Sequence, residues 1–132
     1  MKRFTQYIKE SPHETDNPVP VANYFSLPYD ETWQELAWPI TQAVRAGELI
    51  ATRQDTPIAT IIPTQATVSL TKVQKYSATG TVDLEPGLGL HTESGFYLLD
   101  GHHRVAADAL QGLVQTPIRV LSIQQINDWL NS

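Results

Sequence analysis

Apolar residues recur along the chain with two periods, and the changes from one to the other mark out its elements. Phe4, Tyr7 and Ile8 share one face of a short predicted helix over residues 1–10, which Ser11-Pro12 ends. Asn17-Pro18, Val19-Pro20 and Leu27-Pro28 make residues 13–28 an extended arm, expected to pack through Val21, Tyr24, Phe25 and Leu27. Asp30 or Thr32 then offers an N-cap, and Thr32-x-x-Glu35 fits a capping box for a helix through Trp38. Pro39 interrupts that pattern, and a second helix or a kinked continuation runs from Ile40 to a left-handed cap at Gly47. Residues 48–51 and 57–62 read as strands, the latter β-branched and bounded by turn residues.

Leu70, Val73 and Tyr76 stand at helical spacing and place a helix over residues 69–77, with Ser69 as its cap. Residues 80–89 are loop-like, and residues 88–91 pair with 96–99 as a hairpin. An alanine-rich helix from His102 is expected to bury Val105, Ala106, Ala109 and Leu110 and to stop at Gly112. Residues 117–121 form another strand, after which Ser122 caps a last helix with Ile123, Ile126, Trp129 and Leu130 on one face. The expected fold is α+β: a small mixed sheet flanked by helices, with an N-terminal helical extension. Residues 1–50 are read as an arm and helices packed on a core domain of residues 51–132, the two forming one compact unit.

With 132 residues and a hydrophobic share of 41%, the chain can build a core without covalent staples. It has no cysteine, which excludes disulfides, thiolate metal sites and thiol chemistry. A formal net charge of −5 argues against sequence-independent wrapping of nucleic acid, while leaving room for a local basic mouth on an acidic body. The N-terminus lacks an apolar signal core and no stretch approaches a membrane span, so a soluble, cytoplasmic protein is expected.

Chemistry concentrates where Phe96-Tyr97-Leu98-Leu99 runs into Asp100-Gly101 and then into His102-His103-Arg104. That order reads strand, turn, helix. A helix opening on a glycine turn points unpaired N–H groups and the positive end of its dipole at one spot, where an anion can bind. Arg104 adds a guanidinium suited to bidentate anion contacts. His102 and His103 are candidate acids or bases for phosphoryl transfer, and since helical neighbours lie about 100° apart, one of the two is expected to face the ligand. Asp100 orients a histidine, holds a divalent cation, or serves simply as a turn and cap residue. Thr64 and Gln65 are candidates for an opposite wall. Lys72 and Lys75 lie on an outward face and can neutralise phosphate, although such a face is more often just solvated. Trp33, Trp38 and Trp129 read as core or lid residues rather than as platforms for stacking a base. No set of metal ligands stands at a useful spacing.

From about Ile58 to Ser122 the chain resembles the ParB/sulfiredoxin superfamily. The resemblance is carried by Pro63-Thr64-Gln65, by Val68-Ser69-Leu70-Thr71-Lys72-Val73, by the run from Tyr97 through Asp100-Gly101-His102-His103-Arg104 to Ala107, and by Gly112 before the 117–121 strand. It implies a fold that binds a nucleotide or a nucleic-acid phosphate at the turn, with Gly101, His102, His103, Arg104, Thr64, Gln65 and Lys72 as binding residues and His102, His103 and Asp100 as catalytic ones. Sulfiredoxin-like repair needs a cysteine where this chain has His102, which removes that activity. Few residues follow the last predicted strand, so centromere binding and clamp sliding are not expected. Three functions stay open. One is phosphoryl transfer, as nuclease or nucleoside-triphosphatase, with a divalent cation such as Mg²⁺ or Mn²⁺. Another is a non-catalytic accessory protein of a phage or mobile element, acting on a host protein partner. The third is a small-molecule kinase of the serine type.

Overall fold

Phe96-Tyr97-Leu98-Leu99 lacks the polar alternation of a half-exposed strand because both of its faces are covered. The computed structural model of the protein describes residues 17–132. Its elements are β1 (Pro18–Pro20), α1 (Gln34–Arg45), β2 (Thr52–Pro57), β3 (Ile61–Pro63), β4 (Thr67–Ser69), α2 (Leu70–Thr79), β5 (Gly87–Thr92), β6 (Gly95–Asp100), α3 (His102–Leu110), β7 (Gln115–Ser122) and α4 (Ile123–Leu130). Five strands form one sheet in the order β2-β7-β5-β6-β3, and β1 pairs separately with β4. The sheet is mixed: β3 with β6 and β5 with β7 are parallel, whereas β5 with β6 and β2 with β7 are antiparallel. This is the α+β architecture that the sequence pattern predicts.

Two cores lie on the two faces. Phe96 and Leu98 join Val73 of α2, Val105 and Ala106 of α3, and Val21 and Phe25 of the arm on one side. Leu99 joins Leu88, Leu90, Ile40 and Ala43 of α1, and Ile126 of α4 on the other. The period of two along β6 therefore assigns Leu98 and Leu99 to opposite layers. Burying a leucine or isoleucine of this kind stabilises by about 1.5–3 kcal/mol.

Local signals place several elements where the pattern puts them. The Ser69 hydroxyl accepts from the Lys72 N–H at the start of α2. Ser122 and Gln125 form a reciprocal capping box on α4. Other expectations are corrected. Residues 48–51 are not a strand: the N–H groups of Glu48 and Leu49 turn back to the Ala43 carbonyl and close the end of α1, so the sheet is entered only at Thr52. The strand expected over 57–62 is divided by a 3-10 turn at Ile58–Thr60, which leaves only β3. The Thr32–Glu35 capping box does not form, because Thr32 directs its N–H and hydroxyl to the Asp30 carboxylate and the cap position falls to Trp33. Of the two readings at Pro39, continuation is the one found, with a single helix running through it. Leu110 and Leu130 are half exposed, while Ala107 and Asp108 take inward positions on α3.

The helix expected over residues 1–10 lies outside the described residues, as does the start of the arm. Among the described residues no helix is long and apolar enough to cross a membrane.

Gly101 has φ +92°, and a Cβ built there would stand 2.7 Å from the Gly87 Cα. Gly101→Ala is expected to destabilise the fold by about 2 kcal/mol or more, from the left-handed backbone and the clash together. The measurement is the urea midpoint at unchanged slope.

Candidate functional site

β6 ends at Asp100, Gly101 turns the chain, and α3 begins at once, so the turn stands at the end of a strand buried from Phe96 to Leu99. The first bond along α3 runs from the Val105 N–H to the Gly101 carbonyl. The amides of His102, His103 and Arg104 precede it, and they are the donors a helix start leaves for an anion.

Both imidazoles are used to hold this turn against the facing chain. His102 Nε2 accepts the Thr64 N–H at 3.0 Å, and the Thr64 hydroxyl donates to the Leu98 carbonyl at 2.6 Å. His103 Nε2 accepts the Ser69 N–H at 3.1 Å. Since the accepting nitrogen carries no proton, neutral His102 and His103 each hold their hydrogen on Nδ1. His102 is buried, with its ring 6.0 Å from that of Phe25. Burial, with a further contribution from neighbouring His103, pushes its pKa down to about 3. His102 is therefore a neutral acceptor at pH 7.

Arg104 is also buried, at 6% exposure, and donates from Nη1 to the Leu84 carbonyl. Its Nε lies 3.8 Å from Asp108 and makes no hydrogen bond. Burial lowers the Arg104 pKa from the ordinary arginine value, and the Asp108 charge works in the opposite direction. Asp108, 1% exposed, accepts from the hydroxyls of Thr81 and Thr116 as well. A buried carboxylate needs such donors.

These groups border a cleft of about 690 Å³, within the range of roughly 300–1,000 Å³ usual for small-molecule sites. The cleft brings together every expected site residue: Asp100, Gly101, His102, His103, Arg104, Thr64, Gln65 and Lys72. Two of the expected wall residues also serve the frame, since Gln65 donates its side-chain amide to the Thr67 carbonyl and Thr64 is held as described. Lys72 is half-buried at the cleft rather than on an open face, and Lys75 is exposed and not among the lining residues.

The remaining wall comes from α1, which sequence reasoning did not connect with the turn. Trp38 and Arg45 line the cleft, with the guanidinium carbon of Arg45 5.9 Å from the Trp38 ring centroid. The signal available in the sequence is the stripe Gln34, Ala37, Trp38, Thr41 and Arg45, a helical face that borders the buried Ile40 and Ala43 and shares burial with them at Thr41. Asp108 also escaped notice, although it stands at the i,i+4 distance from Arg104 that marks a helical ion pair.

Lowering the pH tests the state of His102. Its pKa is lower in the folded chain than in the unfolded one, so unfolding takes up a proton. The stability that follows is present in full above about pH 6.5 and is lost as the pH falls from there toward about 3, at about 1.4 kcal/mol per pH unit. The urea midpoint is expected to drop between pH 7 and pH 5. His102→Gln, which retains an acceptor without the titration, is expected to flatten that dependence.

No protein-family model matches the chain, and no curated protein matches it in sequence. Among solved structures it is similar to sulfiredoxin from Arabidopsis thaliana, with a TM-score of 0.45 and 14% identity over 60% of this chain and 97% of that one. It is also similar to the C-terminally truncated chromosome-partitioning protein ParB from Caulobacter crescentus complexed with CTP-gamma-S, with a TM-score of 0.46 and 17% identity. That likeness covers 59% of this chain and half, 50%, of the ParB chain.

Proposed function

We propose that the chain binds a nucleotide or nucleic-acid phosphate in this cleft, with the phosphate at the N-terminus of α3. The observation that carries the reading is the convergence of cations. Arg45, Lys72 and Arg104 line the cleft against two acids, Glu85 and Asp100, in a chain where Lys and Arg number 9 and Asp and Glu 14. An acidic protein that gathers positive charge at the positive end of a helix dipole has the makings of a local anion site. Arg104 contributes a guanidinium at the cleft wall, its Nε turned to Asp108 and its Nη1 to the Leu84 carbonyl.

In this reading His102 and His103 are positioning residues. Each holds a backbone N–H of the facing segment, which fixes the distance between the turn and the wall that carries Thr64 and Lys72. Binding without turnover fits that use of both Nε2 atoms, and it is the function expected of an accessory module acting on a partner.

Phosphoryl transfer is the second reading, favoured by the presence of Asp100 and Glu85 at the same cleft. Among the described residues no three His, Cys, Asp or Glu side chains come together as a metal cage. Mg²⁺ normally takes only one or two carboxylates and completes its shell with water and substrate phosphates. Asp100 and Glu85 are the carboxylates that can serve a cation arriving in that way, and half-buried His103 is the imidazole placed to move a proton.

Titration with inorganic triphosphate or a nucleoside triphosphate, followed by amide NMR, is expected to move the signals of residues 102–104 most. Lys72→Ala is expected to weaken binding several-fold with the spectrum otherwise retained, and Arg104→Ala to abolish it. Shifts centred elsewhere, or affinity unchanged in both variants, would refute the site.

A further inference from the structure

We infer that the ligand is a mononucleotide whose base lies against Trp38, so that α1 supplies a ring subsite opposite the phosphate subsite at the turn. The inference rests on the phosphate reading above and adds to it a wall that the Asp-Gly-His-His-Arg string does not contain.

Three observations carry it. The first is the placement of the tryptophans. Of the three in the chain, Trp33 and Trp129 pack against the core between the sheet and α1 and α4, whereas Trp38 belongs to neither core. A half-exposed indole facing a cleft is costly to leave in water and suited to covering a flat apolar ligand.

The second is the make-up of its helical stripe. Ala37 and Thr41, on the turns beside Trp38, are small, and the Thr41 hydroxyl is already bonded to the Ala37 carbonyl at 2.7 Å. Thr41 is 3% exposed and Ala37 packs against the second core, so Trp38 is the large apolar group that this stripe presents to the cleft. Arg45 stacks on Trp38 from within the same helix and holds the indole in place. Gln34, one turn earlier, brings an amide with both donors and acceptors for the edge of a base.

The third is scale and charge. A cleft of about 690 Å³ suits one nucleotide. A body of net charge −5 is poorly suited to a long polyanion, whose binding draws on many basic contacts.

Calorimetric titration of the full chain with the four ribonucleoside triphosphates, inorganic triphosphate and a short oligothymidylate separates the possibilities. At least one nucleoside triphosphate is expected to bind about 5- to 100-fold more tightly than inorganic triphosphate, the range given by a single base on an aromatic ring. Trp38→Ala is expected to bring that nucleotide down to the level of inorganic triphosphate without changing the latter, and Trp38→Phe to restore most of the difference. Equal binding of nucleotide and inorganic triphosphate by the native chain, or an equal loss of both in Trp38→Ala, would overturn the ring subsite and leave the phosphate site standing. Tighter binding of the oligothymidylate than of any mononucleotide would overturn the ligand class. No binding of any of these anions would overturn the phosphate reading and the ring subsite together.

Discussion

Two hydrogen bonds from backbone to imidazole govern the geometry of the cleft. Thr64 and Ser69 lie on a segment that would otherwise touch α3 mainly through apolar packing, which is non-directional and tolerates sliding. The His102 and His103 acceptors remove that freedom at two points five residues apart. With both made, the wall carrying Lys72 and the start of α3 become one rigid unit. A histidine pair that looks like reactive chemistry in a sequence is here part of the frame that holds the two walls of the cleft together.

The layers behind the turn explain why the frame can be held. β6 lies inside the sheet with cores on both faces, so the position of Asp100 is determined by the packing of Leu98 and Leu99. Asp108 then draws together α3, the residue-81 loop and β7 through Arg104, Thr81 and Thr116. Its charge offsets part of the cost of burying the guanidinium. The same carboxylate keeps Arg104 directed along the helix.

Elements defined by local chemistry were legible in the sequence: the Ser69 cap, the Ser122 and Gln125 box, the hairpin of β5 and β6, and the strand-turn-helix order around Gly101. The β-edge at Thr52 was not, because polar Thr-Arg-Gln-Asp carries no strand period and becomes a strand only by pairing with β7. The apolar residues 48–51 misled for the opposite reason, Leu49 being drawn into a core by the end of a helix. At the cleft, the turn and its companions Thr64 and Lys72 could be found from residue types and order. The contribution of Trp38 and Arg45 could not, since nothing local relates a stripe on α1 to a turn more than fifty positions away. Nor does a histidine in a sequence reveal whether its nitrogen meets solvent or a backbone N–H.

The close approach of Gly101 to Gly87 also constrains how such a protein can change over time. A side chain at Gly101 would strike the backbone of Gly87, and one at Gly87 would crowd Ile118, Leu98 and the Asp100 carbonyl at 3.0–3.2 Å. At Gly87 the neighbours need to give by a few tenths of an ångström, and two of them are flexible side-chain ends, whereas at Gly101 the obstacle is the Gly87 backbone itself. Single-step drift is therefore blocked at Gly101, and a route to another residue there needs strand and turn to move together. A lineage that departs from Gly101 has to rebuild the mouth of the cleft rather than adjust it.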